Sequence, residues 1–270
     1  MGEQQTNTGG AKMTALVTGA SGGIGLELAR LFAEDGHDLV LVARSADKLS
    51  SLADELKAKH NVGTRVLPAD LARPEAPQEI FDELRREGVN VDALINNAGV
   101  GSYGLFAETD LRAELDLLQI NVVALTHLTK LFLPAMIARR RGYVMQVAST
   151  AAFQPGPLMA VYYASKAYVL HFSEALSNET EGTGVVVSAL CPGPTETGFV
   201  AAAGMEESKL FDRGPMGARE VAEAGYRGML AGKRIVIPGP RNAIVAHAVG
   251  FLPRGLVTKV VRGIQERRNN

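Results

Sequence analysis

Thr14-Ala-Leu-Val-Thr-Gly-Ala-Ser-Gly-Gly-Ile-Gly25 is the stretch that decides the fold. Thr14 to Thr18 is a short apolar run of strand length, and it feeds directly into the glycines at 19, 22, 23 and 25. Beyond the turn, Ile24, Leu28, Leu31 and Phe32 recur at helical spacing as far as Asp35. Strand, glycine turn and helix in that order open a βαβ unit. Such a turn lets the backbone come close to a pyrophosphate, and the helix N-terminus behind it presents unpaired N–H groups and a partial positive charge. The spacing of Gly19, Gly23 and Gly25 is not G-x-G-x-x-G, so the expectation of a nucleotide rests on placement after the first strand; an ordinary strand-to-helix turn is the plainer reading.

The same alternation runs on through the chain. Gly36 stops the helix, Asp38 to Val42 reads as a second strand, and Ser45 to His60 as a helix with Leu49, Leu52 and Leu56 on one side. Strands are expected at Thr64 to Pro68 and Asp92 to Asn96, with a helix at Pro74 to Glu87 between them and a long helix from about Asp110 to Arg140 after them. The runs Gly142 to Ala148 and Gly184 to Leu190, the second with Val185, Val186 and Val187, suit strands covered on both faces. Together these predict one doubly wound α/β domain: a parallel sheet of about seven strands, with right-handed crossovers placing helices on both faces. Ligands of such sheets sit outside the carboxyl ends of the strands, where the glycine turn, Asn96, Ser149 and Pro192 fall.

Composition narrows the function classes. The 270 residues are 46% hydrophobic, enough for a sizeable core, and the formal net charge of -1 offers no general attraction to nucleic acid. The single cysteine, Cys191, cannot form an internal disulfide and fits a reducing compartment, with small apolar packing as its expected role. His37, His60, His127, His171 and His247 lack metal-ligand spacing, so no metal is expected. Residues 1–12 read as a polar tail without the apolar core of a signal peptide, and the longest apolar run, Ala243 to Leu252, is about half of what a membrane-crossing helix needs. A cytoplasmic protein is the expectation.

Chemistry is concentrated between Ser149 and Lys166. Tyr162 and Lys166 lie four apart, on one face if helical. Taken alone, such a pair is more often a solvated face. A cation near a phenol stabilises the phenolate, lowering a pKa of about 10 toward working pH, where acid and base catalysis is efficient. Ser149 could offer its hydroxyl to a carbonyl oxygen gaining charge. Tyr163, three from Lys166, is also within reach.

With these pieces together the chain resembles the short-chain dehydrogenase/reductase family from Thr14 to about Gly239. Thr18 to Gly25 matches that family's TGxxxGxG turn, Asn96-Asn-Ala-Gly99 its NNAG strand end, and Tyr162 to Lys166 its YxxxK. Ser149 stands thirteen residues before Tyr162, Asn121 falls where the family keeps an asparagine, and Pro192-Gly193 with Thr197 resembles its PGxxxT segment. The resemblance implies that Tyr162 exchanges a proton with the substrate oxygen and that Lys166 lowers its pKa and holds the nicotinamide ribose. It further implies that Ser149 binds the substrate oxygen and that Asn121 supports a proton relay through water; family spacing chooses Tyr162 over Tyr163. It implies cofactor contacts from Gly19, Ser21, Gly22, Gly23, Ile24 and Gly25 of the turn, from Asp70 and Leu71 after the third strand, and from Asn97, Ala98 and Gly99. Tyr162, Lys166, Pro192, Gly193, Thr195 and Thr197 complete that set. It also implies a homo-oligomer, dimer or tetramer, paired through the long helices.

Cofactor choice follows from the second strand's end, Val42-Ala43-Arg44. An NAD enzyme would carry an acid there for the ribose 2'-hydroxyl; with Ala43 in its place and Arg44 adjacent, a 2'-phosphate meets a cation, so NADP(H) is expected unless Arg44 is merely a solvated loop residue. Residues 194–215, with Gly198, Gly204 and the apolar Phe199, Met205 and Phe211, read as a substrate lid that favours a carbonyl on a hydrophobic body. The domain is expected over 13–240. Residues 241–270 form a basic amphipathic helical extension, with Val257, Val260, Val261 and Ile264 at helical spacing beside Arg254, Lys259, Arg262, Arg267 and Arg268. Its apolar stripe suits packing on protein better than on anionic membrane. Two alternatives to an enzyme stay open at this point, a nucleotide-binding regulator without turnover and a peripheral membrane protein of the same fold.

Overall fold

The computed structural model describes residues 12–205 and 214–266, so the expected tail lies outside the described residues except for Lys12. Strand β1 (Thr14–Thr18) runs into α1 (Gly23–Glu34), β2 (Asp38–Ala43), α2 (Ala46–His60), β3 (Thr64–Pro68), α3 (Ala76–Arg86) and β4 (Ala93–Asn96). These elements match the expected ones to within two residues. The expected helix over 110–140 is continuous but not uniform: α4 (Leu111–Leu118) passes through a π turn (Gln119–Ala124) into α5 (Leu125–Ala138). The π turn carries Asn121, and periodicity alone could not reveal one extra residue in a turn.

Then follow β5 (Gly142–Val147), α6 (Ala160–Glu179) and β6 (Val185–Leu190). All pairings in the main sheet are parallel, in the order β3-β2-β1-β4-β5-β6. A seventh strand, numbered β9 (Ile235–Val236) after two short paired strands β7 (Thr195–Glu196) and β8 (Met216–Gly217), extends the edge beside β6. The order reverses between β1 and β4, so their carboxyl ends flank the crevice that such sheets use for ligands.

Each strand alternates its side chains between two helix layers. Val17, Leu41 and Ile95 meet Leu28, Phe32 and Leu49 from α1 and α2, joined by Tyr226 and Met229 of α8 (Ala218–Leu230). Leu16, Val40, Leu94 and Val144 meet Leu84, Leu128, Phe132 and Met136 from α3 and α5. Leu111 to Ala138 is long and apolar enough to cross a membrane by length and composition alone, but much of that apolar surface covers this sheet face. Full burial of a Leu or Phe contributes about 1.5–3 kcal/mol, so these two layers dominate stability.

Two expectations need correction or limits. The C-terminal extension is two helices, α9 (Pro240–Val249) and α10 (Arg254–Gln265), because Gly250 and Pro253 interrupt the pattern. The expected lid holds β7, the four-residue helix α7 (Phe199–Ala202) and the approach to β8; its residues 206–213, with Phe211, lie outside the described residues, as do Arg267 and Arg268.

Candidate functional site

A cleft of about 550 Å³ opens over the carboxyl ends of the strands. Its floor is the glycine turn. Gly19 has φ of +68°, and a Cβ there would stand 2.8 Å from Asn97 Nδ2, so both the backbone shape and the close approach of the β4 end demand glycine. Asn97 and Ala98 donate their backbone N–H groups to Thr18 Oγ1, each at 3.0 Å, which staples the ends of β1 and β4 together. At the start of α1, Gly22 is the N-cap and supplies no side-chain hydrogen bond, leaving the first N–H groups available toward the cleft.

Of the sequence-predicted cofactor residues, Gly19, Ser21, Gly22, Gly23, Ile24, Arg44, Asp70, Leu71, Asn97, Ala98 and Gly99 line this cleft, with Pro192, Gly193, Thr195 and Thr197 on the opposite wall. Gly25 does not. A Cβ there would meet Gly19 O and Asn97 Nδ2 at 2.4 Å, so its place is behind the turn, where it lets α1 pack against the strand ends. Ser45 and Lys48 also line the cleft and escaped the sequence reading. Lys48 stands four residues from Arg44 at the start of α2, a spacing that puts two cations at the same mouth.

The reactive end is built by α6 and the segment after β5. Tyr162, Lys166 and Ser149 all line the cleft. Tyr162 has Ser149 as its hydrogen-bonding side-chain neighbour, and its ring lies 5.2 Å from that of Phe199 and 6.0 Å from that of Tyr163. The Ser149 hydroxyl accepts from Ala151 N at 3.1 Å, which fixes it after the strand end.

Lys166 stands beside the Tyr162 ring with its ammonium held by the backbone. Its ammonium donates to Val147 O at 2.8 Å and lies 5.8 Å from the centre of the Tyr162 ring. Burial pushes the Tyr162 phenol up to about 12, with Ser149 as the opposing influence. Burial also pushes Lys166 down to about 8, with Cys191 opposing. For each of the two groups burial is the largest influence.

A stability profile follows from Lys166. Between pH 8 and its ordinary value of 10.5, the unfolded chain still holds a proton that the folded chain has released. Folding stability from this group therefore rises with pH across that window, by at most about 1.4 kcal/mol per unit. Cys191, pushed up to about 12 from 9.0 by burial, works the other way above pH 9, so the measurable quantity is a difference. In urea unfolding at pH 7.5 and 9, wild type is expected to gain on Lys166→Met as pH rises; parallel pH dependences would refute a depressed lysine.

Asn121 braces the cleft wall from behind. It is 1% exposed and lies behind the cleft wall, its Oδ1 accepting from Val100 N at 2.9 Å and its Nδ2 donating to Val100 O at 2.9 Å and Ser165 Oγ at 3.1 Å. With its amide spent on those partners, the side chain positions the loop after β4. Gly99 makes this possible: a Cβ there would come within 3.3 Å of both Asn121 Oδ1 and Lys166 Nζ.

The far end of the cleft is apolar, with Val100, Met159, Tyr163, Phe199 and Met205 on its walls. Tyr163 is fixed from behind by α10, since Gln265 donates its side-chain amide to the Tyr163 hydroxyl while its backbone carbonyl accepts from the Tyr103 hydroxyl at 2.5 Å. The second tyrosine is thus a wall residue held by the C-terminal extension, a link that no local sequence pattern carries.

A family model described as short chain dehydrogenase matches residues 13–208. The very-long-chain 3-oxoacyl-CoA reductase of Phaeosphaeria nodorum is 39% identical over 183 residues, 65% of this chain and 53% of that protein. The Rattus norvegicus protein of the same description is 31% identical over 270 residues, 95% of this chain and 80% of that protein. The chain therefore spans about half the length of the first of these relatives and more of the second. Among solved structures, a short-chain dehydrogenase from Sphingobium yanoikuyae in complex with NADPH superposes with a TM-score of 0.81 at 31% identity, covering 96% of this chain and 98% of that one.

Proposed function

The chain belongs to the short-chain dehydrogenase family, and from that membership we propose an NADP(H)-dependent oxidoreductase. It moves a hydride between nicotinamide and the carbonyl or alcohol carbon of a mainly apolar small molecule. The observation that carries this reading is one cleft lined by a glycine turn, two cations and a tyrosine partnered by serine.

The lining fits the cofactor. The uncapped start of α1 suits a pyrophosphate, while Arg44 and Lys48 suit a 2'-phosphate and Ala43 supplies no acid to repel it. Likeness to the NADPH-bound Sphingobium protein supports the same choice. Lys166, Asn97 and Thr195 are the candidates to hold the nicotinamide end. When bound, the cofactor supplies the hydride, and the protein's own side chains handle the proton.

Tyr162 is the proton donor in this proposal. Burial pushes its phenol up to about 12, so it carries its proton at neutral pH, ready to give to the substrate oxygen. The Ser149 hydroxyl steadies the oxygen that gains charge. Phe199, Met159 and Met205 give the substrate's body an apolar wall, and the relatives' description as 3-oxoacyl-CoA reductases makes a 3-oxoacyl thioester one candidate substrate. Following NADPH absorbance with ketones, aldehydes and 3-oxoacyl thioesters tests the proposal. Turnover of at least one class is expected; no turnover of any would overturn it, and equal rates with NADH would overturn the cofactor choice.

We also propose self-association through the outer flank of α4 and the π turn. Leu111, Leu115 and Val123 stand 69%, 52% and 47% exposed there, more apolar surface than a lone helix flank usually shows. Light scattering should give a mass above the 28.6 kDa of one chain, lowered by Leu115→Arg; a monomeric unaltered protein ends this part of the proposal.

A further inference from the structure

The C-terminal extension carries a charge the rest of the chain does not. Six of the 28 lysines and arginines but only one of the 29 acidic residues fall in residues 241–270, which gives that segment +5 and the remainder -6. A net charge near zero for the whole chain conceals this asymmetry, which is the footprint of a surface that meets anions.

The structure divides the segment's apolar residues in two. On α10, Val257 and Val261 are 5% and 4% exposed and pack on Met159, Tyr163 and Met205, which accounts for one row of the stripe. Leu256 and Val260 form a second row about 100° round the helix, and they are 50% and 52% exposed. Lys259 borders that second row on the side away from the protein, and Arg262 stands further round the helix, pairing with Glu266 at 3.6 Å. Just before the helix, Phe251 is 90% exposed and Leu252 48%. A helix needing only to dock on its own domain would not carry a second, exposed apolar row beside its buried one.

We propose that this face, Phe251, Leu252, Leu256 and Val260 with Lys259 flanking them and Arg254 and Arg262 elsewhere on the same basic segment, seats the protein on an anionic lipid bilayer. The apolar row enters the boundary between headgroups and acyl chains, and the basic residues meet the lipid charge. Charge decides between this occupant and a second copy of the chain, because a two-fold pairing of the face would press one +5 segment against another. The arrangement goes beyond the oxidoreductase reading and does not depend on it.

The test uses the whole protein in flotation with vesicles of phosphatidylcholine containing about 30% phosphatidylglycerol, against pure phosphatidylcholine. Binding to the anionic vesicles is expected, falling at least about fivefold in pure phosphatidylcholine or in about 0.5 M NaCl. Phe251→Ser with Leu256→Ser should reduce binding at least about tenfold, and so should Lys259→Glu with Arg262→Glu. Unchanged melting curves show that these variants are folded, and Phe251→Ser alone touches a side chain too exposed to support the core. Failure to float with anionic vesicles, binding indifferent to Phe251→Ser, or a dimer in light scattering that the Phe251→Ser, Leu256→Ser pair dissolves would each overturn the proposal.

Discussion

Tyr162→Phe is expected to slow NADPH-driven carbonyl reduction by about 10²- to 10⁴-fold, the range over which a positioned general acid or base contributes. The variant keeps the ring that packs beside Phe199 and Tyr163, so the fold and the wall of the cleft should persist. What disappears is one hydroxyl and its interaction with Ser149. NADPH affinity, measured by fluorescence titration, should stay within about tenfold, because the glycine turn, Arg44 and Lys48 are untouched and loss of one hydrogen bond costs about 0.5–1.5 kcal/mol. A Phe variant that turns over within tenfold of wild type would remove Tyr162 from the chemistry. Loss of cofactor binding in parallel with activity would instead make it a structural residue of the cleft.

That prediction rests on a placement the sequence made legible and an electrostatic setting it did not. Strands β1, β2, β4, β5 and β6 could be read because each is largely a run of apolar residues bounded by turns and buried on both faces, while β3, Thr-Arg-Val-Leu-Pro at the sheet edge, is only partly buried. The glycine turn and the strand ends then brought Ser149, Tyr162 and Lys166 to one cleft by topology alone. Desolvation has no local signature. Whether Lys166 lowers the Tyr162 pKa depends on how much protein surrounds both groups and where the ammonium points, and it points at Val147 O.

The other gaps have similar causes. Helix α8 was not read as an element because Gly225 and Gly228 interrupt its pattern, yet a Cβ at those positions would stand 2.7 Å from Leu190 and 2.4 Å from Val236. Glycine there trades helix propensity, about 1 kcal/mol each, for close approach to the sheet. Strand β9 is two residues, too short for alternation to register. Gly25 and Asn121 sit in motif positions but are absent from the cleft lining, one packing behind the turn and one bracing Val100. Motif position identifies the neighbourhood, and only the backbone decides which side of the wall a residue occupies.

The cofactor end offers the second large effect. Arg44→Asp should raise the KM for NADPH by about 10²-fold while NADH is unchanged or improved. A charge-assisted hydrogen bond contributes about 1.5–3 kcal/mol, roughly 10- to 150-fold, and the introduced carboxylate adds repulsion toward a 2'-phosphate while accepting from a 2'-hydroxyl. Arg44 and Lys48 are both exposed at the cleft mouth, so part of wild type's preference should fade as salt rises. Lys48→Ala should cost less than Arg44→Asp, since an ammonium on a flexible stem acts as a point charge and the substitution adds no repulsion. Steady-state rates with both cofactors at low and high salt separate these contributions. If Arg44→Asp leaves the NADPH to NADH ratio within about threefold of wild type, Arg44 is a solvated loop residue after all, and the preference would have to come from Lys48 and the start of α1, predicting in turn that Lys48→Ala is the variant that fails.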